Sequence, residues 1–382
     1  MFKEKIFSEN QTEKEAEILF LEKIEVAEKS LKNLLKLKPE EKILFLKDKK
    51  TNPEVTLILE EAVKKIGSES QEILLDKQTK REEIQELLKK FKVIIDVSKK
   101  MYPAIEDLCD KDIVEYGNRL LSLIDLGSDA FKKDGALDEN LEDLEYRLNK
   151  MEAVLKDAKG FHITSNYGTD LEVGLRSSHE RQWSKDSGVL DKPGQWGNLL
   201  GGEIFTTPDE RTMNGTLVLP VLESTITTDQ GVDEFVRVNV KNGIITSIEG
   251  GKSAKKLRSD LEKDMRDEAK ESGQPLNVLR VAEIAFGANS KARSTVSDPE
   301  KPYNFPGVSV IEAEKRLGTM HFAFGDSKHG KEGTEGFETA TSHYDFVIPR
   351  NGLTVEMFTS EDDWKKKNNG KKLISNGGLN FF

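Results

Sequence analysis

Between residues 40 and 96 the sequence alternates short, uninterrupted apolar runs with helix-patterned segments, and that rhythm restricts how the chain can begin. Residues 1 to 40 carry Glu, Lys and Leu at helical spacing, and Pro39 closes the stretch just before the apolar run 43–46. Thr51-Asn52-Pro53 then caps a helix reaching Ile66, residues 72–75 read as strand, 81–90 as helix and 93–95 as strand. Strands separated by helices pair in parallel with the helices covering them. No G-x-G-x-x-G and no Walker loop follows any of these strands, so the phosphate-cradling forms of the architecture are not indicated.

Residues 138–159 place Leu141, Leu144, Leu148, Met151 and Leu155 on one helical stripe, the pattern of a helix facing a core. After Gly160 the pattern changes to β-branched strands broken by turns. Asn242-Gly243 lies between the apolar runs 235–240 and 244–248, and Asn351-Gly352 lies between 346–348 and 353–358; each reads as a hairpin. A helix over 254–270 separates them. The fold expected is α/β: an N-terminal βαβ-type parallel-sheet domain over 1–160, then a C-terminal α+β metal-binding domain over 161–382.

Composition narrows the function. The net charge of −11 arises from 69 acidic and 58 basic residues with no basic block, which argues against a nucleic-acid partner. The first twenty residues gather no signal-peptide core and no membrane-length apolar run, so the expected location is cytoplasmic with no membrane association. The single cysteine, Cys109, excludes an internal disulfide framework and a cysteine-rich metal site, and reads as a packing residue. Histidines and carboxylates remain as the strong ligands.

The five histidines are His162, His179, His321, His329 and His343. His343 and Asp345 fall two apart at the start of a strand-like run, which points both to one face. Two such side chains suit a divalent metal, or a hydrogen-bonded surface pair. His321 sits in an apolar run flanked by glycines, as an inward-facing core imidazole or a ligand. Glu203 and Glu283 each interrupt an apolar run, and a buried carboxylate needs a cation, an arginine or a metal beside it. Arg176 reads as an oxyanion-orienting group or a salt bridge, Asp170 as a loop-ordering or turn-capping group. His162 and His179 read as structural or exposed, and His329 lies in a polar glycine-rich stretch, 325–336, that suggests a lid. No G-x-S-x-G elbow is present, which leaves a metal-activated water as the route to hydrolysis.

Five local motifs in order, G-T-D-L at 168–171, G-N-L-L-G-G-E-I-F-T-T-P at 197–208, A-E-I-A-F-G-A-N at 282–289, G-T-M-H-F-A-F-G at 318–325 and S-H-Y-D at 342–345, resemble those of the M29 metalloaminopeptidases, over roughly 160–358. The resemblance implies a homodimeric aminopeptidase acting on short peptides. It implies two divalent ions (Zn, Co or Mn) held by Glu203, Glu283, His321, His343 and Asp345; one carboxylate could instead act as general base, and Glu283 is the candidate because its run could place it at the mouth of a strand. Two departures stand out: Lys328 occupies the position of a family tyrosine, and Leu200 replaces a proline. A sister group of similar architecture opens aromatic rings with one iron held by two histidines and a carboxylate, a set that His321, His343 and Asp345 could supply. The two further inward carboxylates tilt the sequence reading toward the two-metal hydrolase.

Overall fold

The computed structural model describes residues 13–100, 102, 104–105, 112–124, 126–177, 179–198, 201–219, 235–293, 310–328, 336 and 340–382; Cys109 and His329 lie outside the described residues. The chain forms two compact units, residues 1–141 with 188–201 and residues 142–187 with 202–382.

The first unit is built on a parallel sheet of β1 (Ile43–Lys47), β2 (Ser70–Leu74), β3 (Val93–Asp96), β4 (Arg119–Ser122) and β8 (Trp196–Asn198), in the order β2-β1-β3-β4-β8. Its helices are α1 (Glu13–Leu34), α2 (Pro53–Ile66), α3 (Arg81–Leu88) and α4 (Asp112–Tyr116). Val93 to Asp96 and Arg119 to Ser122 are buried throughout, as expected of interior strands covered on both faces. β2, at the edge, carries polar exposed residues that discourage further pairing. Asn52 caps α2 through its side chain, accepting from the Glu54 N–H, and Pro53 sits where no N–H is required. The alternating rhythm in the sequence thus corresponds to the observed elements.

The second unit holds two antiparallel sheets. The larger contains β5 (Gly160–Ser165), β6 (Asp170–Gly174), β10 (Asn214–Leu219), β11 (Val236–Lys241), β12 (Ile244–Glu249), β16 (Leu353–Phe358), β17 (Lys371–Ser375) and β18 (Gly378–Leu379), ordered β12-β11-β10-β6-β5-β16-β17-β18. The smaller contains β7 (Ser184–Asp186), β9 (Glu203–Thr206), β13 (Val281–Gly287), β14 (Met320–Gly325) and β15 (His343–Ile348), ordered β15-β14-β13-β9-β7. One core joins them, and Phe161 of β5 meets Phe286 of β13 edge-on at 5.7 Å. The stripe of α5 (Leu141–Leu155) and the apolar side of α6 (Lys252–Glu271) enter the same core, whereas α7 (Val310–Lys315) lies against β13 and β15 and α8 (Glu361–Lys366) against β16.

Asn242-Gly243 does close the β11–β12 hairpin. Asn351-Gly352 does not close one: β15 and β16 belong to different sheets. Phe346 and Ile348 reach the shared core from the smaller sheet, and Leu353, Val355 and Met357 reach it from the larger. Burying both apolar faces across the core outweighs the local turn preference.

Candidate metal centre

The pleat of the smaller sheet assembles the site. Glu283 pairs with Ala323 and Ala323 with Asp345; Ala285 pairs with His321; Gly325 pairs with His343; Gly287 pairs with Glu203. Paired residues and residues two apart share a face, so Glu203, Glu283, His321, His343 and Asp345 all project to one side. The intervening positions on that side, Ala285, Gly287, Ala323 and Gly325, are small and leave room for the charged groups. The opposite side carries Ile204, Ile284, Phe286, Met320, Phe322, Phe324, Phe346 and Ile348 into the core. One strand therefore delivers a rigid hydrophobic anchor and a polar ligand at alternate residues.

Two glycines make the approach possible. A Cβ on Gly202 would lie 2.6 Å from the Asn289 Cβ, so only glycine lets the chain enter β9 and place Glu203 here. A Cβ on Gly287 would lie 2.1 Å from the Arg316 carbonyl oxygen and 2.6 Å from that of Glu314. Its absence lets the end of α7 settle directly on the site face. That contact brings in Glu314 and Lys315, two residues the sequence reading did not single out because they are polar, helical and outside every motif.

The side chains converge closely. His321 Nε2 is 3.1 Å from Glu283 Oε1 and 3.4 Å from Glu203 Oε2. His343 Nε2 is 3.3 Å from Asp345 Oδ1 and 3.8 Å from Glu283 Oε2. Lys315 Nζ donates to Glu203 Oε1 at 2.5 Å and to Glu314 Oε1 at 2.8 Å. Ligand atoms of Glu203, Glu283 and His321 lie within 4.8 Å of one another, as do those of Glu314, His321 and Asp345. His321 and Lys315 are buried, while 33% of the His343 side chain and 22% of Asp345 are exposed, so the cluster grades from a dry floor to a partly exposed side. His343 Nδ1 donates to the Asp326 carbonyl at 2.8 Å; a carbonyl only accepts, so Nε2 is the nitrogen that a metal could use. The Asp326 carboxylate in turn accepts from the Lys328 and Ala340 N–H groups, fixing the segment that carries this carbonyl.

These residues fit a metal. Buried His321 Nδ1 makes no hydrogen bond, which leaves that ring nitrogen placed to take a metal, whereas Glu203 and Glu314, each with one oxygen lacking a hydrogen bond, already have the Lys315 ammonium beside them. Imidazole nitrogens with carboxylate oxygens form a borderline-to-hard donor set suited to a divalent first-row ion.

Electrostatics points the same way. Burial opposes charge on His321, but its hydrogen bond to Glu283 and the carboxylates of Glu314 and Glu203 outweigh it and hold its pKa at about 9. Burial likewise opposes charge on His343, and Asp345 and Glu283 raise its pKa to about 10. The same partnership lowers the pKa of Asp345 against the effect of burial. Burial, only partly offset by Lys315, pushes Glu314 up to about 7 and raises Glu203.

Both histidine values exceed the unpaired value of 6.5. Their charged forms stabilise the metal-free fold fully below that value, and this contribution is lost as pH rises through about 9 to 10. The melting temperature of metal-free protein is therefore expected to fall between about pH 7 and pH 10. Saturating divalent metal, which replaces those protons, should flatten the fall. Thermal unfolding across pH with and without metal checks this; parallel profiles would show that the histidines do not titrate as ligands.

Other residues marked in the sequence lie apart from this cluster. His162 pairs with Asp170 at 2.8 Å on the exposed side of β5 and β6, and His179 is exposed. Arg176 lies 3.6 to 3.8 Å from Glu180, Asp209 and Glu210, which favours its salt-bridge reading. Lys328 is exposed. No helix among the described residues is long and apolar enough to cross a membrane.

Comparison with known proteins identifies the family. The family model for 2,5-dihydroxypyridine 5,6-dioxygenase matches residues 23–357. The 2,5-dihydroxypyridine 5,6-dioxygenase of Pseudomonas putida is 30% identical over 154 residues, a stretch spanning 40% of this chain and 41% of that relative's length. The solved 2,5-dihydroxypyridine dioxygenase from Pseudomonas putida aligns with a TM-score of 0.65 at 19% identity, over 94% of this chain and 97% of that one. AmpT from Thermus thermophilus, an M29-type structure, aligns with a TM-score of 0.62 at 15% identity, over 94% and 98%. The aminopeptidase likeness is thus one of fold.

The hydrolase expected from the sequence is corrected accordingly, and with it the pair of divalent ions. The case for two ions rested on Glu203 and Glu283 needing a second metal, but Glu203 already pairs with the Lys315 ammonium and Glu283 with His321. Matched by the family model over residues 23–357, the chain belongs to the NicX family, that of 2,5-dihydroxypyridine 5,6-dioxygenase.

Proposed function

We propose that this protein is a ring-cleaving dioxygenase that opens a dihydroxylated pyridine between the ring carbons named in its family's description, using one ferrous ion held by His321, His343 and Asp345. The observation that carries the proposal is the convergence of two imidazoles and a carboxylate on one sheet face, with Glu203 neutralised by a lysine instead of a second metal. Two histidines and one carboxylate with open positions are the ligand set of non-haem iron oxygenases. Bound there, ferrous iron supplies the one-electron chemistry that allows dioxygen to react with an aromatic ring.

The chain's own groups do the rest. A planar substrate would approach from the partly exposed side of His343 and Asp345, while the phenylalanines behind the sheet keep the ligand strands from shifting. Glu283 Oε2 faces His343 and is placed to take a proton from a ring hydroxyl, while Oε1 stays engaged with His321. The dry floor holds the Lys315–Glu203 ion pair where water is excluded.

The test is anaerobic reconstitution with ferrous iron, followed by 2,5-dihydroxypyridine and a measured amount of oxygen. Equimolar loss of substrate and oxygen, dependent on iron, is the expected result. Turnover that is indifferent to iron, or a loaded protein that consumes no oxygen with any dihydroxypyridine, would overturn the reading.

A further inference from the structure

Lys315 stands out among the charged residues of the second unit: its side chain is 3% exposed, at the last residue of α7, with its ammonium between two carboxylates. It donates to Glu203 Oε1 at 2.5 Å and to Glu314 Oε1 at 2.8 Å, and each of those carboxylates keeps a second, buried oxygen without a hydrogen bond. Glu203 and Glu314 each also belong to a group of three potential ligands, and both groups include His321. The ammonium therefore occupies a position flanked by two carboxylates next to an imidazole. That is the environment a second divalent ion would require.

We propose that Lys315 limits this centre to one metal ion by standing as a built-in cation where a second ion would bind. The inference rests on the single-ion reading above and adds the reason for it. A protonated lysine cannot ligate a metal, and its charge neutralises Glu203, so Glu203 anchors the floor without drawing in another ion. Gly287 is part of the same device. A side chain there would meet the Glu314 and Arg316 carbonyl oxygens and lift α7, and with it Lys315, from the sheet.

The experiment compares the wild type with Lys315→Met, Lys315→Arg and the double variant Lys315→Met/Glu314→Gln, each loaded with manganese and measured by elemental analysis and by electron paramagnetic resonance. Methionine matches the length of the lysine stem without its charge. The wild type and Lys315→Arg should retain one ion per chain. Lys315→Met should take up two and show the signature of a coupled pair, and the double variant, lacking one of the two carboxylate charges, should return toward one.

A folded Lys315→Met that holds a single ion overturns the proposal while leaving the single-ion enzyme intact. Two ions in the wild type would instead overturn the reading on which it rests. If Lys315→Met folds only when manganese is present, with a melting temperature that climbs as the second equivalent is added, the ion is replacing the ammonium and the proposal stands. If it stays unfolded at every manganese concentration while the double variant folds with one ion, Lys315 serves only to neutralise Glu314, and the proposal fails.

Discussion

His321→Ala should lose the metal. Iron affinity is expected to fall by more than about 100-fold, because removing merely a hydrogen-bonding group behind a ligand costs about 10 to 100-fold, and His321 is proposed as a ligand itself. Ring cleavage should fall with it. The variant should also melt earlier in its metal-free form, since Glu283 loses its hydrogen bond and Glu203 and Glu314 lose a neighbouring cation in a buried setting. Stripping one partner from a buried charge pair costs about 3 to 5 kcal/mol. Chelator competition gives the affinity and calorimetry the stability. Retention of iron at wild-type affinity would remove His321 from the centre.

Phe322→Ala, one residue further along β14, should do the reverse. Phe322 is fully buried on the core side of the sheet and belongs to the cluster between the two sheets. Deleting a buried phenylalanine ring costs about 3 to 5 kcal/mol through lost apolar burial and the cavity left behind. Chemical denaturation should show that loss, yet the folded fraction should still bind one ion, because the ring points away from the ligands. A stable variant with lost metal binding would mean that the pleat is misassigned. The two substitutions together test whether adjacent residues on one strand serve opposite faces.

Much of the fold was legible because its elements carry local physical signals. The apolar runs of the first unit, the Asn52 cap and the Asn242-Gly243 turn each state their own structure, since propensity, capping and turn chemistry act over a few residues. Part of the cluster was legible for a related reason: a carboxylate or imidazole set in an apolar strand run is too costly to leave without a partner, so Glu203, Glu283 and His321 stood out as groups that must be buried beside one.

What escaped the sequence are facts about distance. Asn351-Gly352 carries the same local turn signal as its counterpart, and only the shared core of two sheets decides that the chain crosses between them. Glu314 and Lys315 look like any solvated helical pair, and only the contact of α7 with Gly287 turns them into a buried ion pair with Glu203. That contact removed the argument for a second ion, while the family match overturned the hydrolase. The sequence by itself determined which residue types could hold a metal and the α/β character of the scaffold, because alternation and burial cost are properties of neighbours along the chain. The tertiary structure alone decided how the charges are shared, because a lysine becomes the partner of a glutamate 112 positions away only when the folded sheet and helix bring their side chains to 2.5 Å.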